Sequence, residues 1–174
     1  MELFSNSIAN QSFDICAKES ADEIPFIFDH NVLYSGQKLL NGYSLHLFEE
    51  DLPLREDNNR LWKNAELIMQ HDGNLVLYIT SNENKKEPIW VASGKGAFAE
   101  LNDGQLVVMA NSPYGRGDRS WCSDNWKEKG SYLQLEEHAG MPRIALYDLS
   151  HRVVWASNKD SNKDKGWCYD TTPW

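Results

Sequence analysis

Five side chains within nine residues, Gln70, Asp72, Asn74, Val76 and Tyr78, could together grip a small polyol. A carboxylate accepts hydrogen bonds, each amide both donates and accepts, and a phenol can do either. Strand side chains alternate between faces with period two. The spacing therefore predicts a strand over 70–78 with all five groups in one row. The opposite face carries Met69, His71, Gly73, Leu75 and Leu77, which is mostly apolar and suits a core.

Other reactive groups form no comparable constellation. The five histidines, at 30, 46, 71, 138 and 151, lack zinc-like spacing. Glu136 and Glu137 are strand neighbours and point opposite ways, so they are not a facing acid–base pair. No nucleophile elbow, phosphate loop or Cys/His dyad is visible. No second carboxylate is positioned near Asp72 for glycoside hydrolysis. Arg116-Gly117-Asp118 reads as a chance tripeptide. The acidic residues between Glu49 and Asp57 lack the glycine-punctuated alternation of a calcium loop. The expectation is a chain that is not an enzyme and uses no metal or cofactor.

Composition narrows the partners. The chain has 174 residues, enough for one domain with a sizeable core. Hydrophobic residues at 41% and charged residues at 25% fit a globular protein. A net charge of −9 argues against nucleic acid, which needs basic phosphate contacts, and against docking on anionic membranes. No apolar run approaches 18 residues, so no membrane insertion is expected. Residues 1–21 lack a basic start and an apolar core, so the expected location is cytoplasmic or non-classically secreted. Three cysteines, Cys16, Cys122 and Cys168, allow one internal bridge at most.

The elements that must carry the row are strands. Residues 1–28 show no clean period and are expected to form an N-terminal extension. Asn41-Gly42 between two apolar runs predicts a hairpin. Residues 48–64 are charge-rich and are expected to be a surface loop. An internal repeat follows. Asp72 and Asp103 are 31 residues apart, and so are Trp90 and Trp121. A third unit ends at Tyr147 and is followed by Trp155. Each of the three units is too small to bury its own apolar face, so the faces are expected to meet in one core.

The row and the repeats resemble the bulb-type (monocot, snowdrop-like) mannose-binding lectin family. The sugar-binding signature Gln-x-Asp-x-Asn-x-Val-x-Tyr is complete at Gln70, Asp72, Asn74, Val76 and Tyr78. Leu33-Tyr34-Ser35-Gly36 is similar to the family's opening strand, and Trp155-Ala156-Ser157-Asn158 to its closing string. The resemblance implies an all-β fold, a β-prism II of three antiparallel four-stranded sheets about a pseudo-threefold axis, over residues 29–174. It implies the three tryptophans at the centre. It implies that Asp72 and Asn74 bind the 2-hydroxyl of mannose, Gln70 the 3-hydroxyl and Tyr78 the 4-hydroxyl, with Val76 against the ring edge.

Carried over by counting, the second unit holds Leu101, Gln105 and Met109 at the Gln, Asn and Tyr places. The third holds Ala139, Met141, Arg143 and Ala145 ahead of Tyr147, unless an insertion around Pro142 shifts the register. The expectation is one competent site per chain for mannose or mannose-containing glycans, with a homodimer as the minimum for cross-linking them. The alternative is a structural or protein-interaction module whose sugar site is vestigial, and a defence role is a sub-case of either reading. Cys122 and Cys168 follow two similar segments and could bridge. The tail from Gly166 to Trp174 is a candidate for completing a partner's sheet or its own.

Overall fold

The computed structural model describes residues 30–54, 60–110 and 119–157. The expected extension at 1–28, the Arg116-Gly117-Asp118 tripeptide, Cys16, Cys168 and the 166–174 tail lie outside the described residues.

Twelve strands are described. In chain order they are β1 (Val32–Tyr34), β2 (Lys38–Leu40), β3 (Ser44–Phe48), β4 (Trp62–Met69), β5 (Asn74–Ser81), β6 (Lys86–Lys95), β7 (Phe98–Asn102), β8 (Gln105–Met109), β9 (Arg119–Cys122), β10 (Tyr132–His138), β11 (Met141–Tyr147) and β12 (Val153–Ala156). They form three four-stranded antiparallel sheets, ordered β1-β10-β11-β12, β2-β7-β8-β9 and β3-β4-β5-β6. The architecture is an all-β prism, as the resemblance implies.

The opening stretch departs from the hairpin expectation. Asn41-Gly42 does turn the chain, but β2 and β3 do not pair. β2 joins β7 and β3 joins β4, so the chain changes sheets at this turn. The stretch from Val32 to Phe48 thus gives one edge strand to each sheet. This is why its apolar residues are spaced as short separate runs. Leu33, Leu39, Leu45 and Leu47, one or two from each strand, are all buried.

The period-two pattern decides what enters the core. In β4, Trp62, Ala65, Leu67 and Met69 are buried, and across from them Leu75 and Leu77 of β5 are fully buried. Burying each such leucine or methionine contributes about 1.5–3 kcal/mol. The expected loop over 48–64 is therefore shorter than predicted. Glu49–Asp51 form a 3-10 turn, and Trp62 is already in the core, its indole Nε1 donating to the Gly140 carbonyl at 3.0 Å.

The three repeats meet as expected at Trp90, Trp121 and Trp155. Their ring centroids lie 5.4, 6.0 and 6.1 Å apart, each pair edge to face. That is the favoured aromatic geometry. Leu77, Val108 and Leu146 sit across from these three tryptophans. The pairings fix which residues of the three units are equivalent. Cys122 is disulfide-bonded, and its partner lies outside the described residues.

Candidate functional site

The row is assembled by a turn and a strand together, which corrects the strand expected over 70–78. β5 begins at Asn74, and residues 70–73 form the connection from β4. The Gln70 N–H donates to the Asn74 carbonyl at 2.8 Å, and the Gly73 N–H to the Gln70 carbonyl at 2.9 Å. Gly73 has φ +88°, and a Cβ there would stand 3.0 Å from the Gly96 carbonyl oxygen. Only glycine meets both conditions. Gln70 then continues the outward side of β4, while Asp72 projects from the turn.

All five residues come together on this outer face, four of them in two linked pairs with Val76 between. The Asp72 carboxylate accepts the Asn74 backbone N–H at 3.0 Å and its Nδ2 at 2.7 Å. Gln70 Nε2 donates to the Tyr78 hydroxyl at 2.8 Å. These bonds set what each group still offers. Asp72 keeps acceptor lone pairs. Asn74 keeps one amide hydrogen and its carbonyl oxygen, and Gln70 does likewise. Tyr78, accepting from Gln70, keeps its own proton to donate. The row thus offers both donors and acceptors.

Asp72 is exposed. The Asn74 backbone N–H foremost, then the Asn74 side-chain amide and the Lys95 charge, hold its carboxyl below the ordinary aspartate value of 3.8. Partial desolvation opposes them. Asp72 is accordingly an ionised acceptor at neutral pH.

Val76 is 3% exposed and forms the floor between the two pairs. Ile68 and Val91 flank it on the neighbouring strands. Val91 is half exposed and presents more apolar surface than Val76 does. Sequence reasoning missed both flanking residues. Pairing β4, β5 and β6 around Val76 by their period-two pattern would have found them. His71 is exposed in the turn, with its ring against Gly42, away from the row.

The other two units carry different groups in the same places. Pairing across the sheets puts Asn102 and Glu136 in the position of Gln70, not Leu101 and Ala139 as counting implied. The hairpins differ in length, so counting along the chain slips. Gln70 bonds to Asn74, whereas Asn102 pairs with Gln105 and Glu136 with Arg143.

In the second unit, Arg119 Nη2 donates to Asn102 Oδ1 at 2.6 Å, and Lys129 pairs with Asp103 at 2.5 Å. Gln105 is 2% exposed. In the third, the 5%-exposed Arg143 sends Nε and Nη2 to Glu136 Oε1 at 2.8 and 2.7 Å. The Tyr147 hydroxyl donates to Glu136 Oε2 at 2.5 Å. Burial and then the Glu136 carboxylate push the Tyr147 phenol up to about 12. The groups that answer to Gln70, Asn74 and Tyr78 are bound to one another there.

Glu137 turns away from Glu136 and pairs with Arg60 at 2.5 Å, as the alternation predicts. A cleft of about 390 Å³ beside that pair is lined by Leu52, Pro53, Gln134 and Glu137, among others, and does not include the row. Among the described residues, no cluster of three or more His, Cys, Asp or Glu could hold a metal ion. No helix of the described residues is long and apolar enough to cross a membrane.

No family model matches the chain, and neither does any curated protein. Among solved structures, the chain is similar to the mannose-specific agglutinin (lectin) from snowdrop (Galanthus nivalis) bulbs complexed with methyl-α-D-mannoside. The identity is 21%, over 83% of this chain and 99% of that chain, with a TM-score of 0.34.

Proposed function

We propose that this protein is a carbohydrate-binding lectin, mannose-preferring and non-enzymatic, with one saccharide site per chain at Gln70, Asp72, Asn74, Val76 and Tyr78. The observation that carries the reading is the pairing of Asp72 with Asn74 and of Gln70 with Tyr78. It arms four polar groups toward solvent without a metal. Asp72 and Asn74 take the 2-hydroxyl, Gln70 the 3-hydroxyl and Tyr78 the 4-hydroxyl, while Val76 and Val91 meet the apolar edge of the ring.

The second and third units serve the fold. Their polar groups at these places are held in Arg119–Asn102, Lys129–Asp103 and Arg143–Glu136 contacts. A sugar would have to displace a satisfied ion pair to enter. A single shallow site of this kind binds a monosaccharide with a dissociation constant on the order of millimolar. Avidity for a glycan surface then requires at least two chains in one particle.

The same internal contacts favour a second reading, a structural or protein-interaction module in which all three units act as scaffold. Retention on mannose-agarose separates the two. The lectin reading expects the parent to be retained and Asp72→Ala to flow through. A parent that flows through at high protein concentration removes the first reading and leaves the second.

A further inference from the structure

The outer face of the β3-β4-β5-β6 sheet continues past Tyr78 into a charged strap. Glu66 of β4 stands directly across from Tyr78, and Lys86, at the start of β6, stands across from Thr80. Lys86 reaches back over β5. Its Nζ lies 4.7 Å from the centroid of the Tyr78 ring and 2.5 Å from Glu66 Oε2. The strap therefore spans three strands and crosses the phenol on its way.

Its acidic end is anchored from the other side. Ser44 of β3 lies beside Glu66 and favours its charged form, and the Ser44 hydroxyl is 2.8 Å from His46 Nε2. His46 stacks on Phe48 at 5.7 Å and 4°. Burial pushes the Glu66 carboxyl up, but Lys86, Ser44 and His46 together bring it below 4.5, so the carboxylate end is charged at neutral pH.

We infer that Glu66 and Lys86 are positioning residues for Tyr78, holding its ring so that the hydroxyl meets Gln70 and offers its proton to the ligand. The inference rests on the saccharide reading of the row. Tyr78 is only partly buried, and a phenol on an outer sheet face is otherwise held at its tip by the single Gln70 bond. An ammonium over the ring, tied at its far end to a carboxylate, limits the ring's swing about Cα–Cβ. Lys86 is about half exposed, unlike Arg143, so its ion pair adds little to folding stability. The strap's effect therefore falls on binding rather than on the melting temperature.

Titration of the full chain with methyl α-mannoside by NMR tests this. Lys86→Met keeps most of the stem and removes the charge, and it weakens binding about three- to tenfold. Lys86→Arg restores binding. In a Tyr78→Phe background, Lys86→Met costs nothing further, because the strap acts only through the hydroxyl it places. An unchanged affinity for Lys86→Met, or an equal loss in the Tyr78→Phe background, overturns the inference. The Gln70 side-chain amide resonances give a ligand-free readout. They shift in Lys86→Met and return in Lys86→Arg. If the parent binds no mannoside, the lectin reading fails, and unmoved Gln70 resonances then overturn the strap separately.

Discussion

Arg143→Met is the substitution that most directly probes what the third unit has become. Arg143 and Glu136 have side-chain exposures of 6% and 17%, and the guanidinium makes two bonds to one carboxylate oxygen. Removing one partner of a buried pair costs about 3–5 kcal/mol, because the other charge is left uncompensated. Glu136 keeps some solvent and the Tyr147 hydroxyl, so about 2–3 kcal/mol is expected here. For a domain of this size, that lowers the melting temperature by about 5–10 °C. Adding Glu136→Gln removes the orphan charge, and the double variant recovers at least half of the loss. Thermal unfolding followed by circular dichroism on the four proteins of the cycle gives the coupling. A parent-like Arg143→Met would refute the reasoning. So would a double variant that melts no higher than the single one, because the penalty would then not come from the unpaired carboxylate.

Two further perturbations follow from the geometry. Gly94→Ala places a Cβ against the Ser120 carbonyl, 2.5 Å from its carbon, where β6 and β9 approach beside Trp121. It costs about 2–4 kcal/mol by forcing the backbones apart, and chemical denaturation should show it as a lower midpoint with an unchanged slope. Mannose binding should also depend on pH. The Asp72 carboxyl is depressed, so the acceptor form persists above 3.8 and is lost only as pH falls through the still lower folded value. Mannose retention should thus be flat from neutral pH down to about 4 and fall below it, and a fall centred near pH 6 would point to a histidine instead.

Much of the fold is legible in the chain, because its signals are local and repeated. The equal spacing of the Asp72–Asp103 and Trp90–Trp121 pairs marks repeating units, and the tryptophans do meet at the centre. The face of the row is legible too, since Asn74, Val76 and Tyr78 alternate along β5. What the sequence hides is pairing. Asn41-Gly42 has the chemistry of a hairpin turn, but nothing local tells β2 and β3 to seek partners in different sheets. The turn at Gln70–Gly73 looks like strand because Gln70 and Asp72 continue the period-two row of Asn74, Val76 and Tyr78. Counting also misplaces the equivalents of Gln70, since the extra hairpin residues from Glu137 to Pro142 shift the frame. Only the cross-strand register reveals that Glu136 faces Arg143. The Lys86–Glu66 contact is hidden for the same reason: the two residues are far apart in the chain and diagonal in the sheet.

The central claim is that the Gln70–Tyr78 row binds mannose and does so alone. The most direct measurement is a titration of the isotope-labelled chain with methyl α-mannoside, followed at the Asn74 backbone amide and at the Asn74 and Gln70 side-chain amides. Saturable shifts are expected at these groups with a dissociation constant on the order of millimolar. None are expected at Gln105 or Arg143, and none anywhere in Asp72→Ala. Absence of shifts in the parent at tens of millimolar sugar (roughly ten times that constant), or shifts that survive Asp72→Ala, would contradict the claim.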